Sequence, residues 1–298
     1  MTLPAKEVNR GNKDNDSQQF HARAASYNAP MHLIAAAQMV STADKASNLE
    51  AATRLVRQAA GLGARLVGLP ENFSWMGSEA ERPSAAEGLD GPTLSRMAQL
   101  SRELGLTLLA GSILETGAPG GRLYNTSVLF GPQGERLAVY RKIHLFDVDV
   151  GDGATYHESA AVAPGTEVVA ADTQVGRLGL SVCYDLRFPE LYRRLSQQGA
   201  TLLAVPAAFT LMTGKDHWEV LLRARAIENQ CYLFAPAQGG RHSDKRITYG
   251  HAMVVDPWGL VTARASEGEG LAVAPMDPEL LARIRRNLPC LQHRRLMD

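Results

Sequence analysis

The chain reads as an α/β protein, on three observations. Short apolar runs of strand length alternate with segments of helical periodicity, this alternation occurs in both halves of the chain, and turn-rich hairpin signals stand between them. Because the halves contribute equally, one domain with two packed sheets is expected, each sheet layer covered by helices.

In order, His32 to Gln38 is a first buried strand, and Asn48 to Gly61 places Leu49, Ala52, Leu55, Val56 and Ala59 on one helical face. Ala64 to Leu69 is the next strand, stopped by Pro70. Thr93 to Leu104 reads as a second helix and Leu106 to Ile113 as a third strand. Thr126–Phe130 and Arg136–Tyr140 flank Gly131-Pro-Gln-Gly134, which is hairpin chemistry. The second half continues with strand Leu178–Val182, helix Pro189–Gln197, strand Thr201–Val205, helix Lys215–Glu228 and strand Cys231–Ala235. His251–Asp256, a Pro257-Trp-Gly259 turn, Leu260–Ala265 and Leu271–Ala274 complete the pattern. No repeat of solenoid period is visible. Residues 1–30 are polar and non-periodic, so they read as a flexible extension, and residues 31–298 as the folded domain. A transit peptide is poor in acids, whereas this stretch carries Glu7, Asp14 and Asp16.

Composition narrows the partners. Lys+Arg 31 against Asp+Glu 31 sets the formal charge at zero, which leaves no electrostatic footprint for nucleic acid or an acidic membrane surface. No apolar run reaches the roughly 20 residues of a membrane span, and the N-terminus lacks the apolar core of a signal peptide. Three cysteines without a CxxC pair fit neither a disulfide framework nor a thiolate zinc site. The expectation is a cytoplasmic enzyme for a small molecule, without metal or other cofactor.

Three chemically matched residues fall at three strand ends: a carboxylate in Leu-Pro-Glu71-Asn, an ammonium in Tyr-Arg-Lys142-Ile-His and a thiol in Leu-Ser-Val-Cys183-Tyr-Asp. A lone Cys at the end of an apolar strand is more often a small core residue, and Cys231 and Cys290 are read as packing residues on that ground. Cys183 differs because a helix begins just downstream, so the thiol can stand at a sharp strand-to-helix turn whose backbone N–H groups face an oxyanion. A free thiol has a pKa of about 8.5, so a neighbouring base is useful, and Glu71 can supply it. Lys142 sits among Ile143, Leu145 and Phe146, where a buried ammonium requires an acid, with Glu71 and Glu158 the candidates. A Cys-His dyad with His144 or His217 is the rival arrangement, but no papain-like run surrounds Cys183. The histidines show no metal-ligand spacing such as H-E-x-x-H.

Taken together, these blocks resemble the nitrilase, or carbon–nitrogen hydrolase, superfamily, from about Met31 to the C-terminus. The resemblance implies a four-layer αββα sandwich that assembles as a homodimer or higher homo-oligomer. It implies Cys183 as nucleophile, Glu71 as general base and Lys142 as stabiliser of the tetrahedral intermediate, with Glu158 of Tyr-His-Glu158-Ser positioning the lysine and the base. The runs Thr213–Glu228, Gly240–Arg246 and Tyr249–Gly259 are similar to those of the deaminated glutathione amidase branch. That likeness implies cleavage of deaminated glutathione to 2-oxoglutarate and cysteinylglycine. The backbone N–H of Tyr184 is then expected at the oxyanion, and Phe209, Thr210 and His217 at the acyl pocket. Arg241 or Arg246 is expected at the glycine carboxylate. Arg187 either binds a substrate carboxylate or pairs with an acid such as Asp185. An ω-amidase acting on 2-oxoglutaramate, a nitrile hydrolase and a catalytically idle interaction module are the alternatives.

Overall fold

The computed structural model describes residues 31–149, 155–244 and 246–296. The extension read over residues 1–30 lies outside them. The first half runs β1 (His32–Met39), α1 (Lys45–Gly61), β2 (Ala64–Gly68), α2 (Pro92–Leu104), β3 (Thr107–Glu115), β4 (Tyr124–Phe130) and β5 (Arg136–Arg141). A small hairpin of β6 (Asp147–Asp149) and β7 (Thr155–His157) leads into the second half. There follow β8 (Ala170–Thr173), β9 (Gly176–Leu180), α3 (Pro189–Gln197), β10 (Leu202–Ala204), α4 (Leu211–Asn229), β11 (Tyr232–Ala235), β12 (Ala237–Arg241) and β13 (Ile247–Tyr249). The chain closes with β14 (Met253–Val255), β15 (Val261–Arg264), β16 (Gly270–Met276) and α5 (Pro278–Asn287).

Helix α1 begins where Asp44 accepts hydrogen bonds from the backbone of Ala46 and Ser47, and it buries Ala52, Leu55, Val56 and Ala59. One sheet has the order β13-β12-β1-β2-β3-β4-β5, with β16 also paired to β1, and the other has the order β15-β14-β11-β10-β9-β8. Alternation along the strands builds the layers. Ala35 and Ala37 of β1, Val67 of β2 and Leu108 of β3 pack with Leu55 and Val56 of α1 and with Leu94, Met97 and Leu100 of α2. Ile34, Ala36, Leu66, Leu109 and Leu129 face the other way, into a core shared with Leu178, Leu180, Leu202, Val254 and the inner residues of α3 and α4. The result is a four-layer αββα sandwich, with the larger core running from between the sheets around the second sheet to its helices. No helix among the described residues is long and apolar enough to cross a membrane.

The expected strands and helices are present, with ends displaced by a few residues. The hairpin β6–β7, strand β8, the pair β12–β13 and helix α5 were not read from the sequence. Three of these five strands span three residues each, and β12 reads Ala-Gln-Gly-Gly-Arg, so none carries an apolar alternation to recognise. Helix α5 did carry signals: Asp277 caps it, Pro278 opens it, and Leu281 and Ile284 form its buried stripe. Cys290 corrects the packing reading: it is exposed, because the chain has left α5 by then, whereas Cys231 is buried as expected.

Strand ends become a site through close backbone contact. The β3–β4 ladder breaks register between Ala110 and Ile113, and in that bulge Ser112 N donates to Pro70 O at 3.3 Å while Ser112 Oγ accepts from Asn72 N at 3.0 Å. Glu71 is thereby pinned from both sides. A Cβ on Gly111 would stand 2.1 Å from the carbonyl oxygens of both Leu69 and Pro70, a clash only backbone movement relieves. Gly111→Ala is therefore expected to lose about 1–3 kcal/mol in urea unfolding and to lose activity as Glu71 shifts. An unchanged midpoint would show that the backbone there yields freely.

Candidate active site

The chemistry-bearing residues converge above the ends of the strands. Glu71 follows β2 by way of Pro70, Lys142 follows β5, Glu158 opens a short 3-10 turn after β7, and Cys183 follows β9. Cys183 takes a positive φ of 50°, a conformation costly for a side-chain-bearing residue. Two bonds hold it there: Cys183 N donates to Pro206 O at 2.9 Å, and Val182 N donates to Asp185 Oδ2 at 2.8 Å. The thiol does not protrude, since Cys183 is only 8% exposed, and it lines a cavity.

Lys142 Nζ donates to Glu71 Oε1 at 3.0 Å and to Glu158 Oε2 at 2.8 Å, so the buried ammonium lies between the two acids the sequence nominated. Glu71 Oε2 accepts from Ala208 N at 3.0 Å, and its carboxylate stands beside the Cys183 thiol. Burial acts to raise the Glu71 carboxyl, yet the Lys142 charge and hydrogen bonds from Cys183, Lys142 and Asn125 hold it below the ordinary carboxylate range. Burial opposes the Lys142 charge, and Glu158 and Glu71 outweigh it, keeping the ammonium protonated. The Cys183 thiol is pushed up by burial first and the Glu71 charge second, with Lys142 pulling the other way. A resting thiol beside an ionised carboxylate is the stable state, poised for proton transfer to that carboxylate as negative charge moves to the substrate.

Asp185 settles one question left open by the sequence. Fully buried, it accepts from Tyr140 Oη at 2.6 Å, from His144 N at 3.0 Å and from Val182 N, and it contacts His144 Nδ1 at 2.7 Å. It is therefore not an ion-pair partner of Arg187. His144 is bound to Asp185 and stacked 3.6 Å from Phe188, and His217 is bound to Arg187, so the dyad's two histidines are engaged elsewhere than at Cys183. Arg187 instead donates from Nη1 to His217 Nδ1 at 3.2 Å and lies over the rings of Tyr184 and Phe209.

The cavity occupies about 770 Å³, and its wall includes Glu71, Lys142, Glu158, Cys183, Tyr184, Arg187, Phe209, Thr210 and Arg246. His217 and Arg241 are not on that wall: His217 stands behind Arg187, and Arg241 turns to Asp244 O at 3.4 Å. Sequence reasoning missed Asn125, whose Nδ2 reaches both glutamates, and the 75–82 segment, which adds Trp75, Met76 and Arg82. It also missed His242 and Thr248. The only available signal was polar residues at inward strand positions. Among the described residues no cluster of three or more His, Cys, Asp or Glu side chains is arranged for a metal ion.

A layered αββα fold with a buried carboxylate, ammonium and thiol at one point defines a class of thiol hydrolases for carbon–nitrogen bonds. Residues 33–286 match the carbon-nitrogen hydrolase family, and the chain belongs to it. Among its relatives is deaminated glutathione amidase from Synechocystis sp., 50% identical over 266 residues that cover 88% of this chain and 98% of that one. Omega-amidase NIT2 from Homo sapiens is 39% identical, over 88% of this chain and 94% of that one. The crystal structure of the C. elegans NitFhit protein superposes with a TM-score of 0.84 at 41% identity, covering 89% of this chain and 65% of that one. About a third of that longer protein thus has no counterpart in the match.

His242 ties the β12–β13 loop to the wall. Its Nδ1 bonds Ser41 O at 2.7 Å and its Nε2 lies 2.6 Å from Thr248 Oγ1. Burial lowers its pKa to about 4, against the pull of the Ser41 carbonyl and with the help of the Arg246 charge. Between pH 6.5 and about 4 the unfolded chain binds a proton here that the folded chain refuses, so stability falls as pH drops through that window. The loss is on the order of 3 kcal/mol once pH 4 is passed. Urea unfolding of the parent and of His242→Gln at pH 7.5 and pH 4.5 is expected to show a smaller pH-dependent loss in the variant. Equal losses would assign the acid sensitivity to other groups.

Proposed function

We propose that this chain hydrolyses the amide of deaminated glutathione to 2-oxoglutarate and cysteinylglycine through a thioester on Cys183. Glu71 takes the thiol proton as the sulfur attacks the amide carbonyl, and Lys142 with the Tyr184 backbone N–H stabilises the oxyanion. The tetrahedral intermediate collapses as Glu71 passes its proton to the departing amine. Glu71 then deprotonates a water that attacks the thioester, and the proton returns to the sulfur as the keto acid leaves. Glu158 keeps Lys142 charged and aimed.

The observation that carries the substrate reading is the cavity. About 770 Å³ is ample for a three-residue ligand, and guanidinium groups reach its wall from separate segments: Arg187 near Cys183, Arg82, and Arg246 on the β12–β13 loop. A substrate with a carboxylate at each end matches that placement, with Phe209 and Thr210 beside the acyl portion. The relative from Synechocystis sp. supports the same choice. An ω-amidase activity on 2-oxoglutaramate uses the same machinery with ammonia as leaving group. Three free thiols fit the reducing conditions of a cytoplasmic enzyme.

Self-association belongs to this reading. The outer face of α4 exposes Val220 and Ile227, its first turn exposes Leu211 and Met212, and the adjoining turn exposes Trp258 and Leu260, with Arg223 Nε bonded to Gly259 O at 2.8 Å. Exposed apolar side chains gathered on one surface are normally covered, and a second copy covers these. Val220→Glu is expected to convert a sedimenting dimer to monomer, and a parent that sediments as a monomer removes this contact.

Two variants test the chemistry. Cys183→Ala is expected to fold and to release no 2-oxoglutarate from either amide, and a rate above a few per cent of the parent's refutes the nucleophile. Arg246→Ala is expected to raise KM for deaminated glutathione by roughly ten- to a hundredfold while scarcely altering 2-oxoglutaramate, which lacks the glycine carboxylate. Equal effects on both substrates, or a parent that prefers 2-oxoglutaramate in kcat/KM, would favour the ω-amidase reading.

A further inference from the structure

We infer that Asn125 is a positioning residue for the Glu71 base, a neutral bridge that holds Glu71 ionised and ties it to Glu158 without adding charge. The inference rests on the base role proposed above for Glu71.

Asn125 is the second residue of β4, 2% exposed, and lies on the cavity wall. Its Nδ2 donates to Glu71 Oε1 at 2.9 Å and to Glu158 Oε1 at 3.1 Å. Its backbone carbonyl accepts from Lys142 N at 2.9 Å, so one residue holds the start of the lysine segment and both acids. The two glutamates are thus bridged twice, once by the Lys142 ammonium and once by this amide. Glu71 Oε1 receives both bridging donors, which leaves Oε2 with the Ala208 N–H.

The amide orientation is dictated by its surroundings, since a flipped Asn125 would place Oδ1 against two carboxylate oxygens. In the orientation present, Oδ1 is buried and has no hydrogen-bond partner. A side chain kept for packing alone would not leave an acceptor unpaired at a cost of about 1–3 kcal/mol. Its donor side is what the site uses.

Charge explains why an amide suits this position. Two carboxylates and one ammonium carry a net charge of −1 before the thiol ionises, so an ionised Glu71 remains to accept the thiol proton. A second cation would strip the basicity, and a third acid would force a proton onto one of the three. An amide donates without adding charge.

The test is the pH profile of kcat/KM for Asn125→Leu, which removes the donors, and for Asn125→Asp, which keeps the shape, removes the donors and adds a like charge. Both changes disfavour ionised Glu71, so the acid limb moves to higher pH, by about one unit for leucine and further for aspartate. At the optimum kcat falls about tenfold or more while KM stays within about threefold. Melting curves accompany both variants, and the shape-preserving aspartate carries the test if the leucine variant does not fold. An unmoved acid limb in the folded variants, or a raised KM with kcat retained, overturns the inference. Glu71→Gln separates the two layers of argument. If it remains active, the base assignment falls and this inference with it. If it is inactive while the Asn125 variants keep the parent's acid limb, only the Asn125 inference falls.

Discussion

An ammonium group removed from water must be matched by negative charge at contact distance, and in this molecule that requirement is met by two carboxylates from different parts of the chain. Lys142 is 2% exposed and lies within 3.0 Å of both Glu71 and Glu158. Without both acids the desolvation of that charge would go unanswered. The end of β2, the end of β5 and the turn after β7 are therefore held to one point by an electrostatic need that no local propensity could supply. The same cluster pulls the properties of its members apart: the carboxylate stays ionised, the ammonium stays charged and the thiol stays protonated. Groups held side by side in such different protonation states are what acid–base chemistry needs.

Rigidity around the cluster comes from backbone contact and buried polar side chains. The bulge at Gly111 grips the Glu71 turn, and Gln238, fully buried, donates to Glu71 O and to Ser41 Oγ. Asp185 gathers donors from Tyr140 and His144, which bracket Lys142, and from Val182, which precedes Cys183. One buried carboxylate thus ties the lysine segment to the thiol turn. The strained φ at Cys183 persists because these bonds over-determine it.

Much of the fold was legible because the elements bury continuous faces. The apolar run of His32–Met39, the helical stripe of α1 and the Gly-Pro-Gln-Gly hairpin each state their structure within a dozen residues. Strands such as β12 and β13 were not legible, because Gly239 and Gly240 have no side chains to pattern and the pair is defined by a partner, β1, some two hundred residues away. Among candidate site residues, the cationic ones were the least resolved by sequence. Arg246 and Arg241 lie five residues apart on one loop, yet one reaches the cavity and the other does not.

What the chain determined by itself was the set of reactive groups and the strand ends on which they sit, because an acid after Pro70, a lysine among apolar residues and a cysteine before a helix are local facts. What only the tertiary structure decided was who meets whom. Asn125 became a bridge between two acids, Asp185 turned from Arg187 to Tyr140 and His144, and His217 was placed behind Arg187 rather than in the cavity. Those choices depend on the packing of two sheets whose members are distant in sequence. Partner identity is a property of that packing, which the spacing of residues along one chain does not encode.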